Sequence, residues 1–159
     1  MNKKKRSRVN ILRILLEDHD LFRRNFKNYE NLQDQMKRKI FEDTLRILVI
    51  HAKLEEELIY PLIKPIKPDM VNEGIEEHHA ANLLIDELKD MNSDDTRFDK
   101  KFHVLGEIVI HHLEEEEKET LPILEKINVD LDSLGIKFEK RKFDLMKQFT
   151  KPEELCVNE

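Results

Sequence analysis

Apolar residues recur along this chain in alternating steps of three and four, the spacing that puts side chains on one face of a helix. Between Val9 and Tyr29 the seam is Leu12, Leu15, His19, Phe22, Phe26 and Tyr29. A polar stretch, 30–35, reads as a turn, and a second seam follows through Phe41, Thr44, Leu48, His51, Glu55, Leu58 and Leu62. Pro61, Pro65 and Pro68 are expected to stop that helix and stiffen the link after it, because proline lacks an amide donor and restricts the residue before it. A third helix over about 69–91 lines up Val71, Gly74, His78, Ala81, Ile85 and Leu88. Asn92 to Thr96 is turn and cap chemistry, and the fourth seam is Phe98, Phe102, Leu105, Val109, His112, Glu116 and Ile123. Beyond Asn128, Gly135 is expected to interrupt, while Phe138, Phe143, Met146 and Phe149 predict a fifth amphipathic helix. The pattern therefore predicts an all-α protein, an up-down-up-down four-helix bundle over 9–128 with a short extra C-terminal helix over 129–150. A basic disordered arm (1–8) and a frayed tail (151–159) flank it.

Composition agrees with long helices. A chain of 159 residues is ordinarily one domain, and its 3 glycines and 5 prolines leave little punctuation for strands and tight turns. Charged residues at 39% suit helices that are wet on one side and dry on the other. The net charge of -6 argues against a general nucleic-acid or membrane-surface role, since both of those partners are anionic. A single cysteine, Cys156, rules out a disulfide framework and a cysteine-ligated cluster. The basic start leads to no small-residue cleavage site, and no apolar run is long enough to span a bilayer, so a cytoplasmic protein is expected. The fifth helix is expected to cap the bundle, the other reading being a protein partner or a homodimer formed through it.

The seams carry histidine and glutamate at mid-length, where a core ordinarily takes leucine. The frame from His51 to Pro61 places a glutamate four residues after the histidine and a proline ten after it, and the frame from His112 to Pro122 repeats both offsets with Glu116. This is read as an internal duplication. In an antiparallel bundle with short loops, residues at equal height average to the loop between them. His19 with His51 averages to 35, Glu55 with His78 to 66.5, and His78 with His112 to 95, all at turns predicted independently. His19, His51, Glu55, His78, His112 and Glu116 are thus expected to share one layer. A lone seam histidine is usually a hydrogen-bonded core residue, but four imidazoles and two carboxylates cannot satisfy one another cheaply out of water. Multivalent cations would resolve the layer, with carboxylates able to bridge two of them and imidazoles filling terminal positions. His111 with Glu115 offers a rival register on the fourth helix. His112 with Glu116 lies on the seam and is preferred. His103 falls outside the layer and reads as a surface residue.

On these residues the chain resembles the hemerythrin-like, or HHE cation-binding, family: His19, the two His-x-x-x-Glu frames each leading to a proline, and Glu77-His78 on the third helix, together covering roughly Leu12 to Ile127. The resemblance implies a non-haem di-iron centre, with Glu55 and Glu116 bridging, His19, His51, His78 and His112 terminal, and zinc or manganese as substitutes. Oxygen-carrying members have a further histidine four residues after the first on the third helix; here that position is Asn82, a poor iron ligand beside imidazole. This puts reversible oxygen carriage in doubt and leaves a position that His79, a water or nothing fills. Members thought to repair iron-sulfur centres carry a cysteine-bearing amino-terminal segment not found here. The expected function is binding of oxygen, nitric oxide or peroxide at a metal pair for sensing, redox or metal handling, a binding protein more than an enzyme. The alternatives are a di-iron peroxidase or oxidase-like enzyme and a metal-braced regulatory bundle.

Overall fold

The computed structural model describes residues 6–150, and among these it is helical with no strand. Helix α1 is Ile11–Asn28, opened by Asn10, whose side chain accepts the Leu12 amide at 2.9 Å and so satisfies an amide the first turn leaves free. A single 3-10 turn, Tyr29–Asn31, leads to α2, which runs as Asp34–Leu54, a widened π turn Glu55–Ile59 and a last α turn Tyr60–Ile63. Helix α3 is Pro68–Asp90. Helix α4 repeats the build of α2: Phe98–Glu115, a π turn Glu116–Thr120, then Leu121–Lys126. Helix α5 is Leu131–Gln148, its first amides capped by the Asp130 carboxylate, which accepts from Asp132 and Ser133. Helices α1 to α4 form the bundle, α1 packing on α2 and α4 and α3 packing on the same two. Helix α5 lies across α1 and α2. No helix among the described residues is long and apolar enough to cross a membrane.

The two π turns account for three departures from expectation. Pro61 does not stop α2. It sits inside the helix, because the Tyr60 amide bonds back five residues to the Glu55 carbonyl and the widened turn makes room for a ring that would otherwise collide with the carbonyl four residues earlier. In α4 the Leu121 amide reaches the Glu116 carbonyl in the same way, just ahead of Pro122. Each extra residue then rotates the following face by one position. Ile59 and Ile63 are buried where Leu58 and Leu62 were expected, and Leu124 where Ile123 was expected.

Helix α5 also corrects the reading. It has 18 residues, as many as α1, and is not short. Gly135 does not interrupt it: the glycine lets the helix press on the incoming chain, since a Cβ there would stand 1.6 Å from the Val9 carbonyl oxygen. Phe138 and Leu145 are fully buried, whereas Phe143, placed on the inner face by the sequence pattern, is 60% exposed. The Arg46 guanidinium donates to the carbonyls of Met146 and Phe149 and fastens the end of the helix to α2. Of the basic arm, residues 1–5 lie outside the described residues, as do the tail from 151 and Cys156; Arg6 pairs with Glu125 at 3.2 Å.

The apolar core is in two parts. One, at the α5 end, includes Leu12, Leu15, Leu54, Ile59, Ile63, Leu124 and Phe138; the other includes Phe22, Leu45, Leu48, Ile85, Phe102, Leu105 and Val109. Burial of each such side chain stabilises the fold by about 1.5–3 kcal/mol. Between the two parts lies the polar layer.

Candidate metal centre

All six side chains singled out by spacing turn inward and are buried: His19 0% exposed, His51 4%, Glu55 1%, His78 7%, His112 8% and Glu116 6%. They sort into two half-sites. One donor atom from each of His19, His51, Glu55 and Glu116 lies within 4.8 Å of the other three, and the same holds for Glu55, His78 and His112. Glu55 divides its oxygens between them, Oε1 against His51 Nε2, Oε2 at 3.1 Å from His78 Nε2 and 3.8 Å from His112 Nε2. Glu116 does likewise, Oε2 at 3.3 Å from His19 Nε2 and Oε1 at 3.6 Å from His112 Nε2. Each π turn begins at one of these two glutamates, whose carbonyl accepts the amide five residues on.

A ring of carboxylates outside the layer orients the imidazoles. The Nδ1 of His51 faces Asp18 at 3.1 Å, that of His112 faces Glu77 at 3.1 Å, and that of His19 faces Glu117 at 3.0 Å. His78 Nδ1 is held more loosely, 3.5 Å from Glu56. Two carboxylates are anchored in turn: Lys142 of α5 donates to Asp18 at 2.7 Å, and Arg23 grips Glu117 with bonds of 2.8 and 2.9 Å. A carboxylate on Nδ1 fixes the tautomer that leaves the Nε2 lone pair for the centre, the usual support of a metal-binding histidine. Of these four carboxylates only Glu77 was singled out in the sequence, as part of Glu77-His78, and the supporting role of all four was missed. Each adjoins a residue of the layer, in Asp18-His19, Glu55-Glu56, Glu77-His78 and Glu116-Glu117, and that doubling was the available signal.

The charges are strongly coupled. Burial works against a charged His51, but Glu55 and Asp18 outweigh it and push its pKa up to about 10. Burial likewise opposes a charged His112, and Glu55, Glu77 and Glu116 carry it up to about 11. His19 and His78 rise for the same reason, with Glu116 and Glu117 acting on the first and Glu55 and Glu56 on the second. Burial alone would raise the Glu55 pKa, yet the imidazoles around it hold it well below the usual carboxylate range. The His19 hydrogen bond, with Arg23, draws Glu117 down to about 2.

The other histidines stand apart. His111 is exposed and pairs with Glu115 at 3.1 Å, so that register faces outward. His103 is also exposed and pairs with Glu107 at 2.8 Å, and His79 points to the surface. Asn82 lines a small cavity with His78, His112, Leu48, Ala81 and Val109, where a water-sized molecule has about 30 Å³ for its centre.

The donor set suits a cation pair. Nε2 of His19, Nε2 of His51 and Oε1 of Glu55 are buried without a well-formed hydrogen bond, and their residues group with Glu116 within 4.8 Å. Fold and site thus define a helical bundle with a buried layer of histidines and carboxylates that could hold metal cations. The sequence model of the Hemerythrin HHE cation binding domain matches residues 10–124, and the chain belongs to that family, whose domain binds metal cations. Comparison with curated proteins and with solved structures returns no match.

Proposed function

We propose that the chain holds two iron ions and binds dioxygen or a related small ligand, nitric oxide or peroxide, at one of them. The observation that supports this most is the division of the Glu55 and Glu116 oxygens between two histidine pairs. A carboxylate that serves one cation has no need to face two sets of imidazoles. Iron, when bound, would supply redox-active positions that take up such ligands.

The residues apportion the work unequally. His19 and His51 hold the first half-site with Phe22 packed edge-on against the His51 ring, centroids 5.3 Å apart. At the duplicated position, three residues after His78, stands Ala81, and the cavity opens there. Its size admits one or two small molecules and no organic substrate. Leu48, Ile85 and Val109 keep bulk water away, while Asn82 offers an amide at the cavity wall. The ligand is therefore assigned to the second half-site, between His78 and His112.

The test is anaerobic loading with ferrous iron, followed by metal analysis and visible spectra before and after air or nitric oxide. Two irons per chain and a ligand-dependent spectrum are expected. Fewer than one iron per chain, or a spectrum indifferent to both gases, would refute the proposal.

A further inference from the structure

We infer that Tyr60 is a metal donor of the second half-site, a role that rests on the two-cation reading. Its hydroxyl oxygen lies 3.4 Å from His78 Nε2 and 3.5 Å from Glu55 Oε2, with the residue 4% exposed. Both separations are long for hydrogen bonds of a phenol, which fall at about 2.5–3.0 Å to oxygen and little more to nitrogen. They are the right length for neighbours around one ion: with bonds of about 2.0–2.2 Å, adjacent donors stand about 3.0–3.5 Å apart. His78 Nε2 to His112 Nε2 and His78 Nε2 to Glu55 Oε2, both 3.1 Å, fall in the same range, so all four residues would hold one ion.

The fold makes room for this hydroxyl. A Cβ at Gly74 would come within 2.6 Å of it, so only glycine permits the ring to lie where it does, stacked on His78 at 5.5 Å and 11°. The internal duplication supplies a comparison. Tyr60 is nine residues after His51, and Leu121 is nine after His112; Gly74 is four before His78, and Leu15 is four before His19. The first half-site thus has two buried leucines where the second has a phenol and a glycine. The exchange adds an oxygen donor, and adds it beside the half-site with the cavity.

On binding, the phenol O–H would break, its electron pair forming the oxygen–metal bond and its proton leaving to solvent. A polar route is at hand in the cleft of about 80 Å³ lined by Tyr60, Glu73, Glu77, Glu115 and Glu119. A phenolate is a hard anionic ligand, so it favours the ferric state of the ion it touches.

The chain has two tyrosines, and Tyr29 donates to Asp99 in the other part of the core, so a tyrosine signal can be assigned without ambiguity. Wild type, Tyr60→Phe and Tyr29→Phe are loaded with iron, oxidised with ferricyanide, and compared by iron content, visible absorption and resonance Raman. Expected are two irons in each, a phenolate-to-ferric charge-transfer band with tyrosine ring modes in wild type and Tyr29→Phe, and neither in Tyr60→Phe. A Tyr60→Phe spectrum equal to wild type at two irons would overturn the inference and leave the two-iron reading standing. A wild type that takes up no iron would sink both. If Tyr60→Phe loses its helical circular dichroism, wild type grown on ring-deuterated tyrosine decides: ring modes that shift support the donor role, and no such modes refute it.

Discussion

Replacing Asp18 with asparagine removes the charge behind His51 and leaves the shape almost unchanged. The His51 ring donates to Asp18 Oδ2 at 3.1 Å, and the other oxygen accepts from Lys142 at 2.7 Å, with the Asp18 residue 7% exposed. An amide can still accept from the ring through its oxygen, but it is a weaker acceptor, and Lys142 then faces no counter-ion. Outer partners of this kind typically contribute about 10–100-fold in metal affinity, or about 1.4–2.7 kcal/mol. Burial and the short contacts place Asp18 at the upper end. Glu56 provides the internal control: its side chain is 38% exposed and stands 3.5 Å from His78, so Glu56→Gln is expected to cost less than about 10-fold. Chelator-competition titrations read both constants, with thermal melting of the metal-free variants separating affinity from stability. Asp18→Asn with both metal affinities unchanged, or Glu56→Gln costing as much as Asp18→Asn, would refute the claim that the outer carboxylates hold the imidazoles in place.

Three further outcomes are expected. Ala81→Phe, which copies Phe22 of the first half-site into the cavity, should retain two irons and lower nitric oxide binding at least 10-fold by stopped-flow; unchanged binding would move the ligand elsewhere. Gly135→Ala forces a Cβ against the Val9 carbonyl, and an overpacked contact of about 1–3 kcal/mol lowers the melting temperature by roughly 2–12 °C, with an unchanged value counting against the close approach of α5. In metal-free protein the pKa of His51 is raised from 6.5 to about 10, so its stabilising contribution is complete below 6.5 and lost as pH rises through about 10; melting temperature should fall over that window, and a rise would contradict the assigned charges.

The six residues of the central layer were legible because helical spacing puts a wrong-polarity side chain on an apolar seam, and two helices repeated the error at matching offsets. Burial of all six then follows from the same periodicity. The spacing failed downstream of Glu55 and Glu116, where Leu58, Leu62 and Ile123 yield to Ile59, Ile63 and Leu124. A π turn inserts a residue, and no periodic template with one phase can cross it. Pro61 and Pro122 were the clue, and Pro61 was misread as a helix breaker when a widened turn accommodates it. Tyr60 was overlooked because a tyrosine before a proline looks like core, and its hydroxyl acquires chemistry only when Gly74, on another helix, gives it space. Helix α5 shows the converse limit: Phe143 is as apolar as Phe138, but the line of contact with α1 and α2 runs through Phe138 and Leu145.

Anomalous diffraction from crystals of the iron-loaded protein tests the two-cation layer most directly. The account predicts two peaks about 3.5–4 Å apart, one beside His19 and His51, the other beside His78 and His112, with Glu55 and Glu116 spanning both. A single peak, or iron confined to the surface around His111 and Glu115, would contradict it.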